Sequence, residues 1–442
     1  MMMLRLLPLA TALALAFAGP ARAESLLEMY EDARAYDATW QSAKAQYDAN
    51  LYHAEQARAG ILPQANLTGG VSRSKLDANL PPLPNDHLFG TQSAAVSASQ
   101  PLYRPANLAT WRQAQRQAQQ AEFQLTAASQ DLIIRVSQAY FDVLAAQDTL
   151  GYVRALKEAT AEQLAAAKRN FEVGTTTITD TREAQARYDL VLAQEIAAEN
   201  DLRIKRLALD TLVGKSGAQP NSVGVLDKVP PPQPADPEAW VGASETASPA
   251  ILQAKSNVEV AELETEKARA GHKPTVDLTA SYSYGRNING TASSLLDSQP
   301  RQGTAGIQFT LPLFAGFAVQ NRVRETLALE DKARTDLEAT RRQVAQAVRT
   351  AYFGVVSGQG QVRALEAAEA SSQSSLDANR LGYQVGVRIN IDVLNAQTQL
   401  FQTKRDLSQA RYNVLIGHLK LRQANGTLQP EDLERLNTLL GR

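Results

Sequence analysis

Thr275-Val-Asp-Leu-Thr-Ala-Ser-Tyr-Ser-Tyr284 is the stretch that decides the fold. Val276, Leu278, Ala280, Tyr282 and Tyr284 alternate with Thr275, Asp277, Thr279, Ser281 and Ser283, so the segment has one apolar and one polar face. Ala305, Ile307, Phe309 and Leu311 repeat the pattern against Thr304, Gly306, Gln308 and Thr310. Ala65, Leu67, Gly69 and Val71, then Ala94, Val96 and Ala98, follow it more weakly. Runs of about 9–11 residues cross a bilayer as tilted barrel strands. A soluble hairpin resting on a helix shows the same alternation, so the rest of the chain must decide. Polar segments at roughly 74–91 and 285–303 separate the strands of each pair and read as exposed loops.

Outward from the strands the period changes. Between Pro105 and Asn170 there is no proline and only one glycine, Gly151. Trp111, Ala114, Ala118, Ala121, Leu125, Ala128 and Leu132 recur in steps of three and four. After one extra step of four the seam resumes at Val136, Ala139, Val143, Ala146, Leu150 and Val153. This is a coiled-coil seam with a stutter, on a helix approaching 100 Å at about 1.5 Å per residue. A second such helix is expected from about Val319 to Leu381. Alanine-rich seams carry too little volume for a globular core and suit a wall of helices.

The chain is also an internal repeat. Ala139-Tyr140-Phe141 returns as Ala351-Tyr352-Phe353, Phe171-Glu172-Val173-Gly174 as Tyr383-Gln384-Val385-Gly386, Asp180 as Asp392 and Gly214 as Gly426, all 212 residues on. Ala57–Gly60 and Pro101–Tyr103 return 211 residues on. Residues 24–228 and 238–442 therefore read as two copies of one order: helix, two strands, long helix, Val-Gly turn, helix. Residues 229–237, rich in proline, read as a stiff connector.

The first 23 residues, with Arg5, an apolar run from Leu6 to Ala18 and Ala21-Arg22-Ala23, read as a cleaved export signal. Removing two arginines takes the charge from 45 − 46 to 43 − 46, or −3. Near-neutral charge argues against a nucleic-acid partner. No cysteine is present, which excludes disulfides and thiolate chemistry, and the four histidines lack metal-ligand spacing. No cofactor is expected. Asp277 and Asp297 are imaginable as a catalytic carboxylate pair, but surface solvation is the simpler expectation, and the chain does not read as an enzyme. In an exported chain open sheet edges cannot sit in lipid, so a barrel must close. Four strands cannot close alone; two chains give eight and a filled interior, three give twelve and an opening.

With these residues in view, the chain resembles the TolC family of outer-membrane exit ducts. The resemblance is carried by Ala139–Leu144, Phe171–Asp180, Ala186–Asp189, Pro274–Ser281, Ser374–Ala378, Gly382–Arg388, Ile391–Leu394 and Ala410–Asn413. It implies a mainly helical trimer: a twelve-stranded barrel in the outer membrane, a twelve-helix tunnel through the periplasm, and a mixed equatorial belt. It implies a passive duct for drug efflux or type I protein secretion, opened by a periplasmic adaptor and an inner-membrane transporter. A periplasmic coiled-coil scaffold or adaptor is the alternative, which leaves four amphipathic strands unexplained. The family's lipid-anchored branch carries an N-terminal cysteine that this chain lacks.

The resemblance also assigns residues. Val173-Gly174 and Val385-Gly386 correspond to the periplasmic tips where adaptors dock; they equally read as tight turns needing positive φ at glycine. Asp392 stands at the first of two constriction-ring positions and Asn395 replaces the second aspartate; a helix N-cap is the plainer role for Asp392. On the ring reading Asn395→Asp should tighten block by trivalent cations. Arg388 and Tyr383 on one side, Thr179 and Asp180 on the other, match the family's entrance latch; ordinary surface pairs are the plainer reading.

Overall fold

The computed structural model describes residues 24–77, 86–221 and 230–439. The expected export signal, Val229 at the start of the connector and the last three residues lie outside that set. In chain order the described helices and strands are α1 (Leu26–Tyr36), α2 (Ala38–Arg58), β1 (Gln64–Asp77), β2 (Asp86–Tyr103), α3 (Pro105–Glu172), α4 (Ile178–Val213) and α5 (Pro237–Ala247). They continue with α6 (Pro249–Ala270), β3 (Thr275–Ile288), β4 (Arg301–Thr310), α7 (Ala318–Gln384), α8 (Asn390–Asn425) and α9 (Glu431–Leu439). The chain divides into two compact units. One holds Met1–Lys44, Gln124–Ile251 and Arg341–Arg442, the other Ala45–Phe123 and Leu252–Thr340.

The second unit contains the strands. They form one antiparallel sheet in the order β1-β2-β3-β4. Register stacks Ala65, Ala98, Ala280 and Ala305 in one row and Leu67, Val96, Tyr282 and Gly303 in the next, all on one face. That face is uncovered: Leu67 is 76%, Val71 81%, Ile307 69% and Phe309 63% exposed. A soluble hairpin resting on a helix would bury these side chains, so that reading fails. The outer edges of β1 and β4 have no strand beside them among the described residues.

The strands outrun the expected loop boundaries. β1 continues to Asp77 and β2 starts at Asp86, with Lys75 and Asp86 paired at 2.8 Å; β3 reaches Ile288. Backbone pairing tolerates polar side chains, so loss of alternation does not end a ladder. The two hairpins also differ at their exits. Pro101–Tyr103 lies in β2 at a register shift, whereas Pro312–Phe314 follows the end of β4. Gly316 and Phe317 there take φ of 57° and 62°, in the turn that leads directly into α7.

The first unit is helical. Leu26, Met29, Tyr30 and Ala33 of α1, held by a capping box between Ser25 and Glu28, pack with Leu132, Val136, Tyr140 and Phe141 of α3 and Leu415 and Leu419 of α8. The seam positions Leu132, Val136, Val143, Ala146 and Leu150 are all buried. Arg135 forks onto Asp37 at 2.8 and 3.0 Å, and Asp37 also accepts from the Trp40 N–H. The guanidinium holds the Asp37 carboxyl below the usual range. Its contribution to stability is therefore present at neutral pH and lost on acidification through that lowered value. The described part of the connector is clamped onto α5 and α7: Tyr352 Oη donates to the Ala235 carbonyl, Trp240 Nε1 to Pro234, and Arg349 forks onto Glu238.

Asp148 has the opposite sign. It sits half-buried between α3 and α8, accepting from Tyr412 Oη at 2.8 Å beside the Tyr152–Ser408 hydroxyl pair. Burial pushes its carboxyl up, with the Tyr412 bond opposing. A raised folded value stabilises below the unfolded pKa of about 3.9 and is lost as pH rises through the folded value. Asp148→Asn keeps an acceptor for Tyr412 without a desolvated charge. It should raise stability at pH 7 by about 1 kcal/mol and remove one rising component on acidification, read from denaturant midpoints between pH 3.5 and 7.

Candidate functional site

The two Val-Gly turns lie in the helical unit and share one backbone solution. At the first, Val173, Gly174 and Thr175 N–H groups bond the carbonyls of Arg169, Phe171 and Asn170; at the second, Val385, Gly386 and Val387 bond Leu381, Tyr383 and Gly382. Gly174 and Gly386 both take φ of 78°, a conformation that disfavours any side chain. Val173, Val385, Val387 and Ile389 stand exposed around the tips.

The helices after the turns begin differently. Thr177 caps α4, and Asp180 returns a carboxylate to the Thr177 N–H at 3.1 Å, completing a capping box. The Thr179 hydroxyl bonds that of Thr177. The corresponding cap of α8 is Ile389, which offers no side-chain acceptor. Asp392 is thus not an N-cap. Its carboxylate lies 3.7 Å from Arg388, which arches over Gly382, where a Cβ would meet Arg388 Cγ at 2.7 Å.

Two contacts were not foreseen. Asn390, almost fully buried, accepts from Gln163 at 2.5 Å and donates to the Asp180 carbonyl at 3.2 Å, joining the two hairpins of one chain. Its equivalent in the first copy is Ile178, and that mismatch between copies was the available signal. Arg187 Nη2 donates to Asn395 Oδ1 at 2.8 Å. Beneath these contacts Leu164, Ala167, Ala184 and Leu394 form one small core, and Leu376, Val393 and Leu400 another, against which Tyr383 packs.

The four latch residues fall into separate local contacts. Tyr383 Oη accepts from Asn170 Nδ2 at 3.4 Å, and Arg388 pairs with Asp392. Thr179 and Asp180 serve the cap of α4. Among the described residues no hydrogen bond or ion pair within the chain joins one pair to the other.

On the sheet, the polar face carries Thr68, Ser97, Ser281, Thr304 and Gln308, hydroxyl and amide groups without charge. Asp277 is buried rather than solvated, forked by Arg104 at 2.8 and 2.7 Å; Asp297 accepts from the Asn289 N–H. Each carboxylate thus has a structural partner. Among the described residues no group of acidic and histidine side chains is arranged for a metal, and no helix is long and apolar enough to cross a membrane.

Known proteins resemble the chain over nearly its whole length. The family model described as outer membrane efflux protein matches residues 29–215 and again 240–427. The outer membrane protein TolC of Vibrio cholerae serotype O1 is 35% identical over 98% of each chain. The alkaline protease secretion protein AprF of Pseudomonas aeruginosa is 31% identical, covering 92% of this chain and 86% of its own. Among solved structures, the CmeC outer membrane channel of Campylobacter jejuni superposes with a TM-score of 0.80 at 16% identity, covering 95% of this chain and 89% of that one.

Proposed function

The chain belongs to the outer membrane efflux protein family, and from that membership we propose that three copies close their sheets into one twelve-stranded barrel above a twelve-helix tunnel. It is an outer-membrane channel of the efflux and secretion type that extends into the periplasm. The observation that carries the trimeric reading is the sheet, with an uncovered apolar face and two open edges. In lipid those edges have to pair. Another copy supplies complementary strands. A scaffold gives no reason for the exposed apolar face.

In this reading the two copies of the repeat supply equivalent wall segments. The family model matches each half, and α3 and α7 have 68 and 67 residues while α4 and α8 have 36 each. The duct is passive. The exposed tips at Val173-Gly174 and Val385-Gly386 receive a periplasmic adaptor, and an inner-membrane transporter drives drugs or proteins through.

Asp392 from three chains forms a negative ring at the entrance, offset in the closed state by Arg388. Asn395 contributes no net charge, and Arg187 beside it changes the expected effect of adding one. Asn395→Asp would be neutralised by that guanidinium, so it should leave trivalent-cation block nearly unchanged. Asn395→Asp with Arg187→Gln should tighten block about tenfold, and Asp392→Asn should weaken it by a similar factor. Single-channel recordings in planar bilayers with a trivalent cation titrated from the periplasmic side test the ring. Equal block of the parent and Asp392→Asn would remove Asp392 from the entrance.

A further inference from the structure

We propose that the loop-side end of the sheet's apolar face binds the phosphate-bearing headgroup of a glycolipid in the outer leaflet of the outer membrane. The proposal rests on the barrel reading above. The apolar band runs from Val276 to Tyr284, about 26 Å along β3 at ~3.3 Å per residue. It ends in two tyrosines, the residues that favour a membrane boundary. Immediately beyond, the register assembles one slanting row with a member from every strand: Arg73, Gln92, Arg286 and Arg301. Gln92 lies directly opposite Arg286. Arg73 is diagonal to Gln92, and Arg301, opposite Tyr284, is diagonal to Arg286. Such neighbours are about 5–8 Å apart.

All four side chains are exposed. The Arg301 guanidinium lies over the Tyr284 ring, 5.7 Å from its centroid. No ion pair among the described residues engages Arg73, Arg286 or Arg301. Lys75, further out, is already answered by Asp86, and Asp77 and Asp86 face each other at the end of the ladder. The polar face at the same height is uncharged, with Ser72 opposite Thr91 and Thr91 opposite Asn287. Charge is therefore confined to the face that meets lipid. Arginine there is tolerated near the interface and disfavoured at the bilayer centre. Its planar fork matches phosphate oxygens. Four strands span about 14 Å at ~4.8 Å per spacing, room for more than one phosphate. The occupant must combine anionic phosphate with acyl chains, which continue onto Val71, Val96 and Tyr282.

The test uses the detergent-purified full chain and native mass spectrometry, titrating bis-phosphorylated lipid A and its dephosphorylated form. The parent should bind the phosphorylated lipid about tenfold more tightly. Arg73→Gln/Arg286→Gln/Arg301→Gln should lose that preference, and Arg286→Gln alone should reduce it about threefold, which serves if the triple variant does not fold. Inorganic phosphate at millimolar concentration should not displace the lipid; displacement would make this a free-phosphate site and overturn the proposal. Equal binding of both lipids, or an unchanged preference in the variants, would also overturn it. A fluorophore at Leu67→Cys, placed in bilayers of brominated-chain phospholipid, separates the two levels. Quenching without phosphate preference overturns the row and leaves the barrel; absence of quenching overturns both.

Discussion

Ile307→Arg should abolish accumulation of the chain in the outer membrane. Ile307 faces outward beside Leu278, inside the apolar band and one pair in from its Val276 end, and is 69% exposed in the single chain. An arginine facing lipid in a barrel costs up to about 2–4 kcal/mol, less as it nears the interface, and three copies would make that cost threefold. Few folded assemblies retain a margin of that size. The neighbouring Gln308→Arg, on the polar face, should assemble normally and shift ion selectivity towards anions. Immunoblotting of alkaline-washed outer membranes reads the first effect, and reversal potentials in bilayers read the second. Equal accumulation of Ile307→Arg and the parent would mean that this face does not meet lipid.

The second large effect is expected at the entrance. Tyr383→Phe with Arg388→Ser should raise single-channel conductance several-fold while leaving assembly intact. Within one chain these residues make a 3.4 Å contact to Asn170 and a 3.7 Å pair with Asp392, with Arg388 largely exposed. Exposed pairs contribute about 0–1 kcal/mol each, so their removal should not unfold the hairpin, whose joint through Asn390 remains. Links to Thr179 and Asp180 of a neighbouring hairpin would bias a closed state over an open one, which differ by a few kcal/mol. Conductance equal to the parent in normally assembled channels would exclude Arg388 and Tyr383 as the latch.

The parts of this structure most legible in the sequence are those set by periodicity. The alternation of Val276 to Tyr284 and the three-four spacing of Leu132 to Leu150 are consequences of strand and helix geometry, and both faces lie where that geometry places them. The Val-Gly turns were legible for the same reason, since a helix reversal at positive φ selects glycine. Strand ends were not, because ladders continue through polar residues such as Lys75 and Asp86. Nor was the joint at Asn390, because a buried amide is defined by partners distant in sequence, here Gln163 and the Asp180 carbonyl. The contrast between Phe141, fully buried, and Phe353, 57% exposed, is equally hidden. The two stand at matching positions of the copies, and only packing distinguishes them. In the proposed assembly Phe353 is a surface for the neighbouring chain.

The closure of three sheets into one barrel is tested most directly by the mass of the assembly. Native mass spectrometry of the detergent-extracted, conducting protein should give three times the mass of the mature chain. A conducting species with the mass of one or two chains would contradict it.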